Sequence, residues 1–235
     1  MTYLDYLPSF FSGLGVTAAV SALAFVGALV LGLLAAVARQ WGPLVVRTPA
    51  TLYIELVRNT PVLVQIFLVY FGLPAFGIRL SAFTAGVLAL AVNGGAYLAE
   101  IIRAGIRAVP RGQLEAARVL DLGRRQVLVD VVLPQALRLV YPPVVNELVQ
   151  MILATSLLST IALSELTGAT LIANSITFQT MQVFSVALAL YLVLTNLVSW
   201  GARWFGRVAF HPPLDPRAIR GPGGLRRFAF LGRTS

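Results

Sequence analysis

Long stretches of hydrophobic residues, interrupted by short polar segments, dominate the chain. A helix needs about 20 mainly apolar residues to cross the hydrocarbon of a bilayer, and residues 13–38 form the clearest such stretch. The same pattern predicts further spans at residues 53–74, 81–102, after Asp130, and 183–205. The sequence therefore predicts five membrane-spanning helices and an all-α integral membrane protein.

The arginines lie on alternate sides of these predicted spans. Since short cytoplasmic loops carry the excess of basic residues, the three Arg-rich regions, at residues 39–58, 107–125 and after 203, are assigned to the cytoplasm. The N-terminus, the turn at 72–82 with Arg79 and the connection at 164–180 with Glu165 then face outward. We expect an extracytoplasmic segment at residues 1–12, a transmembrane domain at 13–208 and a disordered cytoplasmic tail at 209–235.

Composition supports a membrane protein and excludes several functions. With 58% hydrophobic and 11% charged residues, the chain could not cover a soluble surface. The net charge of +9 is carried by arginine alone; we interpret it as a topology signal, not as nucleic-acid binding. Without lysine the chain has no P-loop of the GxxxxGK[ST] type, and without cysteine it has no disulfide or thiolate metal site. His211, the single histidine, lies in the polar tail, so no metal and no cofactor are predicted.

Polar and helix-breaking residues inside the predicted spans mark a candidate pathway, since such residues are tolerated where they face protein or water. In span three Asn93 precedes Gly94 and Gly95, which would allow either local unwinding or tight helix packing. Span four contains Pro134, Pro142 and Pro143, and we expect a broken helix. The candidate lining residues are Asn93, Glu147, Gln150, Thr155 and Ser156.

The charged connection at about 108–126 is patterned as a short amphipathic helix. Pro110 suits its start, Leu114, Ala117 and Leu120 would share one face, and the spacing predicts two ion pairs, Glu115 with Arg118 and Asp121 with Arg125. Such a helix could bind anionic lipid or dock onto a cytoplasmic partner.

The stretch GQLEAARVLDLGRRQVLVDVVLPQALR resembles the EAA loop of ABC importer permeases. The matching positions are Glu115, Ala116, Ala117, Asp121 in place of a glycine, and Leu133 with Pro134. Other stretches, including YIELVRNTPVLVQIFLVYFGLP and LPQALRLVYPPVVNELV, are similar to the polar amino acid permeases that import His, Gln, Glu, Arg and opines. The likeness extends over residues 13–205.

The resemblance implies a bacterial inner-membrane subunit with the ABC type I importer permease fold. Such permeases work as dimers; a pair of ATPase subunits docks on the EAA helices, and an extracytoplasmic binding protein delivers the amino acid. By position, ATPase coupling falls to Glu115, Ala116 and Ala117, with Gly112 at the start of the helix and Asp121 and Gly123 near its end.

This sequence departs from the family pattern at two places. Asp121 replaces the usual glycine, so we expect a less sharp turn, or a helix that runs on to Gly123. The Lys-Asp pair that often precedes Thr-Ser-Leu is here Leu153 and Ala154. Since such a pair could bind the charged groups of an amino acid, its replacement favours a heterodimer with a second permease, although a homodimer is possible.

Two other functions compete with a transport subunit. An intramembrane enzyme would use Glu100 or Glu147 with Ser156, but the spans contain no Ser/His pairing and no HExxH motif. An ATP-independent channel would line its pore with Asn93, Glu147 and Thr155, yet a channel needs no charged helix at residues 114–122.

Overall fold

A computed structural model of the protein describes residues 2–210. The ordered elements within that range are helical. A 3-10 turn at Tyr3–Tyr6 precedes α1 (Leu7–Trp41), α2 (Leu44–Arg58), α3 (Val62–Phe67), α4 (Ala82–Arg107), α5 (Arg111–Val119), α6 (Arg124–Gln126), α7 (Leu133–Ala154), α8 (Leu166–Thr177) and α9 (Thr180–Ala209). Ala209, the first residue of the expected tail, still belongs to α9, and the tail from His211 onward lies beyond the described residues.

Four of these helical segments are long and apolar enough to cross a membrane: Tyr3–Trp41, Ala82–Arg107, Val127–Ile161 and Thr180–Ala209. A bent pair, Leu44–Arg58 with Val62–Phe76, makes a fifth span if it is counted as one. The predicted all-helical membrane fold is confirmed. The first helix begins at Leu7, before the expected boundary at residue 13, because Pro8 is compatible with its first turn.

The second span, predicted at residues 53–74, consists of two helices joined by a bend. The chain bends by 110° between Arg58 and Val62, and we call residues 59–61 the elbow. Pro61 has no N–H to continue the helix. Asn59 Nδ2 donates to the carbonyl of Glu55 over 2.7 Å, and Thr60 Oγ1 donates to that of Leu56 over 2.8 Å. These side chains satisfy carbonyls that the ending helix leaves open.

The core of the protein is built on close contact between α1 and α4, which small residues make possible. A Cβ added at Gly32 of α1 would lie 2.7 Å from the Cβ of Leu98. A Cβ added at Gly95 of α4 would lie 2.7 Å from Tyr53 Oη and 2.9 Å from the Cβ of Leu31. Helix α4 is regular through Asn93, so its glycines serve packing, and the alternative of local unwinding is wrong.

The expected break in span four does not occur at its prolines. Helix α7 runs through Pro142 and Pro143 without interruption. A proline removes one backbone donor, and membrane helices tolerate this loss where neighbouring groups satisfy the freed carbonyl. The irregular segments lie at the two ends instead, as a π-helical turn at Val127–Val132 and a 3-10 helix at Thr155–Ile161.

A helix that the sequence pattern does not predict lies in the connection between the last two spans. Helix α8 has 12 residues, which is too short to cross a bilayer. Its N-terminus is capped by the Glu165 side chain, whose oxygens accept from the backbone N–H of Thr167 over 2.9 Å and of Gly168 over 2.8 Å. A carboxylate at this position also compensates the helix dipole.

Candidate functional site

A cavity of about 260 Å³ lies between α4 and α7. Its lining residues are Leu90, Asn93, Tyr97, Glu147, Gln150, Met151 and Ala154. Residues three and four apart project from one face of a helix, which is why each helix contributes a row of neighbours. The cavity brings together three of the five predicted pathway residues, Asn93, Glu147 and Gln150.

The lining of this pocket combines one acidic group with neutral polar and apolar groups. Glu147 is its one ionisable acid, while Asn93 and Gln150 offer amide donors and acceptors. Tyr97 adds a phenol, and Leu90 and Met151 add apolar surface. An anionic acceptor beside neutral donors is suited to a small zwitterion, because the carboxylate can receive an ammonium while the amides bind a carboxylate.

The other two predicted pathway residues do not line the pocket. Thr155 is fully buried at the start of the 3-10 helix, where its hydroxyl donates to the carbonyl of Ile152 over 2.7 Å. The Ser156 hydroxyl donates in the same way to Leu153, also over 2.7 Å. Both hydroxyls therefore bond to their own helical segment, and a place for these residues in the pathway stays a prediction.

Two residues near the elbow, Gln65 and Arg58, contact residues that line the pocket. The sequence analysis does not assign either of them to the site. Gln65 Oε1 accepts a hydrogen bond from Asn93 Nδ2 over 3.1 Å. The guanidinium carbon of Arg58 lies 5.5 Å from the ring centroid of Tyr97, within the range of a cation–π contact. Both polar side chains are visible in the sequence, but their partners lie 28 and 39 positions away and no periodicity could reveal them.

An ion-pair cluster joins α1, α2 and α4. The Glu100 carboxylate accepts from both Arg39 and Arg103, and Arg58 lies 4.0 Å from it. Arg39 also pairs with Glu55 over 3.1 Å. Since two arginines already bind Glu100, this carboxylate is not a free base, which argues against its use in intramembrane catalysis.

Glu165 is a buried acid, which the sequence pattern places only in a loop. Its side chain is 0% exposed and accepts from the Tyr191 hydroxyl over 2.8 Å and from Thr17 Oγ1 over 3.4 Å. Burial raises the pKa of the Glu165 carboxyl, and its hydrogen bonds act in the opposite direction. The carboxylate thereby joins α1, α8 and α9.

The predicted amphipathic helix of the charged connection is α5, which begins after Pro110 and ends at Val119. Glu115, Ala116 and Gly112 are exposed, and Ala117 is buried. The expected apolar face is only partly formed, because Leu120 caps the helix and is 71% exposed.

The two ion pairs predicted along this connection are not formed. Within the described part of the chain, neither Glu115 with Arg118 nor Asp121 with Arg125 comes within 4 Å. All four side chains are exposed, where such a pair contributes little and competes with hydration.

The turn after α5 is sharp, so neither expectation for Asp121 is correct. Asp121 has a left-handed backbone with φ of 52°. Its N–H donates to the carbonyl of Arg118 over 3.0 Å, and that of Leu122 donates to Ala117 over 3.1 Å. These bonds form a Schellman motif, in which glycine commonly takes the left-handed position. Gly123 directly precedes α6, and its N–H donates to the Gln126 side chain over 2.9 Å.

Comparisons with known proteins agree with this architecture. Residues 7–208 match the family described as the binding-protein-dependent transport system inner membrane component. The glutamine transport system permease protein GlnP of Escherichia coli K12 is 37% identical over 198 residues, which cover 83% of this chain and 90% of the relative. A probable amino-acid ABC transporter permease protein of Bacillus subtilis, YckA, is 36% identical over 84% of each chain.

Two solved structures resemble the fold. The crystal structure of an amino acid ABC transporter with histidines matches with a TM-score of 0.82 and 38% identity, covering 88% of this chain and 98% of the other. An inward-facing MetNI methionine ABC transporter matches with a TM-score of 0.64 over 84% and 93% of the two chains. At 18% identity, the second likeness shows the fold alone.

These findings decide between the classes of function. The family consists of transport permeases whose ATPase is a separate subunit, so the enzyme and the ATP-independent channel are excluded. The family also implies an ATPase and a binding protein as partners. The chain belongs to the binding-protein-dependent transport system inner membrane components and is the transmembrane subunit of an ABC importer.

Proposed function

We propose that this subunit imports a polar amino acid through the pocket between α4 and α7. The observation that carries the proposal is the position of Asn93, Glu147 and Gln150 around one cavity of about 260 Å³. The Glu147 carboxylate would receive the substrate ammonium, and the two amides would donate to its carboxylate. The glutamine and amino-acid permeases among the relatives support this substrate class.

Energy would reach the pocket through α5. Helix α4 contributes to the pocket and ends at Arg107, and only residues 108–110 separate it from α5. Two ATPase subunits would bind the exposed surface of α5 around Gly112, Glu115 and Ala116, one on each permease of the dimer. Closure of the ATPases would then move α4 and, through its contacts, α7.

The assembly that we propose is a heterodimer with a second permease, served by an extracytoplasmic binding protein. The pocket of this chain has Ala154 among its lining residues and Leu153 beside it. Neither can bind a charged group of the substrate. A second permease with charged residues at the matching positions would supply the ionic contacts to the substrate that this chain lacks.

Removal of the pocket carboxylate tests the proposal. The complex is reconstituted with its ATPase and binding protein in liposomes, and uptake of each radiolabelled amino acid is measured. For the amino acid that is taken up best, Glu147→Gln should raise KM by about tenfold or more, as expected for a lost charged hydrogen bond. Basal ATP hydrolysis should stay within about twofold, because the substitution lies away from α5.

Glu55→Gln is the matched control. It makes the same chemical change at a side chain that is 52% exposed, where an ion pair contributes about 0–1 kcal/mol, so KM should not change. An unchanged KM in Glu147→Gln would contradict the proposed pocket. Absence of uptake for every amino acid, with all partners present, would contradict the proposed substrate class.

A further inference from the structure

Gln65 connects the pocket to the elbow through both ends of one side-chain amide. Its Oε1 accepts from Asn93 Nδ2 over 3.1 Å. Its Nε2 lies 2.9 Å from the carbonyl of Val57, 3.2 Å from that of Thr60 and 2.9 Å from Thr60 Oγ1. An amide has two donor hydrogens and one acceptor oxygen, so these contacts use both ends of the group.

The contacts of Gln65 fix which way its amide points. Backbone carbonyls accept and cannot donate, so the NH₂ group must face Val57 and Thr60 and the oxygen must face Asn93. The Asn93 amide is then fixed in turn, since only its NH₂ group can donate to Gln65. The second hydrogen of the Asn93 NH₂ group and the Asn93 oxygen are left available to the pocket.

The elbow needs these donors for its own structure. Helix α2 ends at Arg58, and the 110° bend follows at once. Carbonyls at a helix end have no intrahelical donor, and within a membrane protein an unsatisfied carbonyl is costly. The Gln65 side chain of α3 therefore supplies a donor to a free carbonyl at the C-terminal end of α2.

A second contact joins the same elbow to the pocket. Asn93 and Tyr97 are one turn apart on α4 and both line the cavity. The Arg58 guanidinium lies over the ring of Tyr97, next to the elbow that Gln65 closes. Both α4 residues of the pocket that carry polar groups are thus held by residues flanking the bend between α2 and α3.

We propose that Gln65 is a positioning residue, which sets the Asn93 amide for the transported amino acid and couples its occupancy to the elbow between α2 and α3. This inference rests on the proposed transport of an amino acid through the pocket. A substrate that pulls on Asn93 moves Gln65, and Gln65 transmits the displacement to the carbonyls that end α2. A Gln65 that merely stabilised the fold would act without Asn93.

A double-mutant cycle tests this dependence in the complete transporter with ATPase and binding protein in liposomes. Gln65→Met keeps the length of the side chain and removes the amide, and Asn93→Leu removes the partner while keeping the branching and the number of heavy atoms of the side chain. The probe is radiolabelled L-glutamine, replaced by the best-transported amino acid if the complex takes up another. Gln65→Met should raise KM about fivefold, the effect of one lost hydrogen bond, with a maximal rate within about twofold.

The test compares the effect of Gln65→Met on KM in the wild-type protein with its effect in the Asn93→Leu protein. In the Asn93→Leu protein the same substitution should change KM by less than about twofold, since the residue through which it acts is gone. An equal fivefold effect in both backgrounds would overturn the proposal. So would a fall in the maximal rate with KM unchanged, which indicates a structural role.

Two further variants serve as control and substitute in this cycle. Asn196→Leu repeats the amide-to-leucine change on α9, where the side chain donates to the carbonyl of Leu192 in its own helix, and it should leave KM unchanged. If Gln65→Met does not reach the membrane, Gln65→Asn replaces it in the cycle with the same two readings, because the shorter side chain cannot reach both ends. Wild-type protein that transports no amino acid would refute the proposed function, whereas transport with independent effects refutes this inference alone.

Discussion

At the scale of single residues, Asp121 shows how a departure from a family pattern can preserve the geometry. Its φ of 52° lies in the left-handed region, which costs a residue with a Cβ about 1 kcal/mol relative to glycine. Aspartate is among the residues that tolerate this conformation best. The sharp turn therefore forms with aspartate at this position. The unfavourable backbone conformation of Asp121 lowers the stability of the loop alone.

Asp121→Gly should stabilise the turn after α5 by about 0.5–1 kcal/mol, because glycine takes the left-handed conformation without strain. The measurement is hydrogen exchange at the Leu122 amide, which donates to the carbonyl of Ala117 and should exchange severalfold more slowly. Asp121→Ala is the control and should exchange faster than wild type. Equal exchange rates in all three proteins would show that the left-handed backbone at residue 121 does not destabilise the turn.

The two acids Glu147 and Glu165 show how far function can be predicted from single residues. The sequence places Glu147 in the pathway because it lies in an apolar span near Gln150, and a helix brings such neighbours to one face. The same reasoning leaves Glu165 in a loop, although it is 0% exposed. Its partners Thr17 and Tyr191 lie on other helices, so only the folded chain reveals it.

At the scale of elements, hydropathy predicts the spans well and the breaks poorly. Length and apolar content decide whether a helix can cross a bilayer, and both can be counted along the sequence. The effect of a proline depends on its surroundings. Pro142 and Pro143 lie inside a continuous α7, while Pro61 follows Asn59 and Thr60, whose side chains satisfy the carbonyls of an ending helix.

The glycines of α1 should differ in their tolerance of alanine. Gly32→Ala places a Cβ 2.7 Å from the Cβ of Leu98 and 3.0 Å from the carbonyl oxygen of Gly95, so α1 and α4 must separate at a cost of about 1–3 kcal/mol. Gly15 has no neighbour within 4 Å of an added Cβ, and Gly15→Ala should be neutral or stabilising by up to about 1 kcal/mol. Thermal unfolding in detergent measures both. Equal melting temperatures would contradict the close α1–α4 packing.

Helix α5 should carry the coupling to the ATPase. Glu115→Lys reverses an exposed charge where the ATPase groove is expected to receive an anion, so uptake should fall at least about tenfold, as for a disrupted interfacial ion pair. The amount of protein in the membrane should stay the same. Arg111→Glu is the control for charge reversal on the same helix, and its effect should be smaller. Unchanged uptake by Glu115→Lys would remove this residue from the coupling surface.

At the scale of the whole molecule, the absence of cysteine makes the predicted orientation directly testable. Arg79→Cys introduces a thiol into the turn assigned to the outside, and Val119→Cys introduces one at an 86% exposed position assigned to the cytoplasm. A membrane-impermeant maleimide should label the first in spheroplasts and the second only in inverted membrane vesicles. The reverse pattern would contradict the topology inferred from the arginines.

The proposed heterodimer rests on the chemistry of the pocket. This chain contributes the Glu147 carboxylate but places Leu153 and Ala154 where the family pattern often has a Lys-Asp pair. We therefore expect no uptake above background when it is the only permease reconstituted with the ATPase and the binding protein. Addition of a second permease of the family should restore uptake, and mass measurement of the purified complex should show one copy of each. Uptake by this chain alone, with a mass of two identical permeases, would show that a homodimer binds the substrate without the Lys-Asp pair.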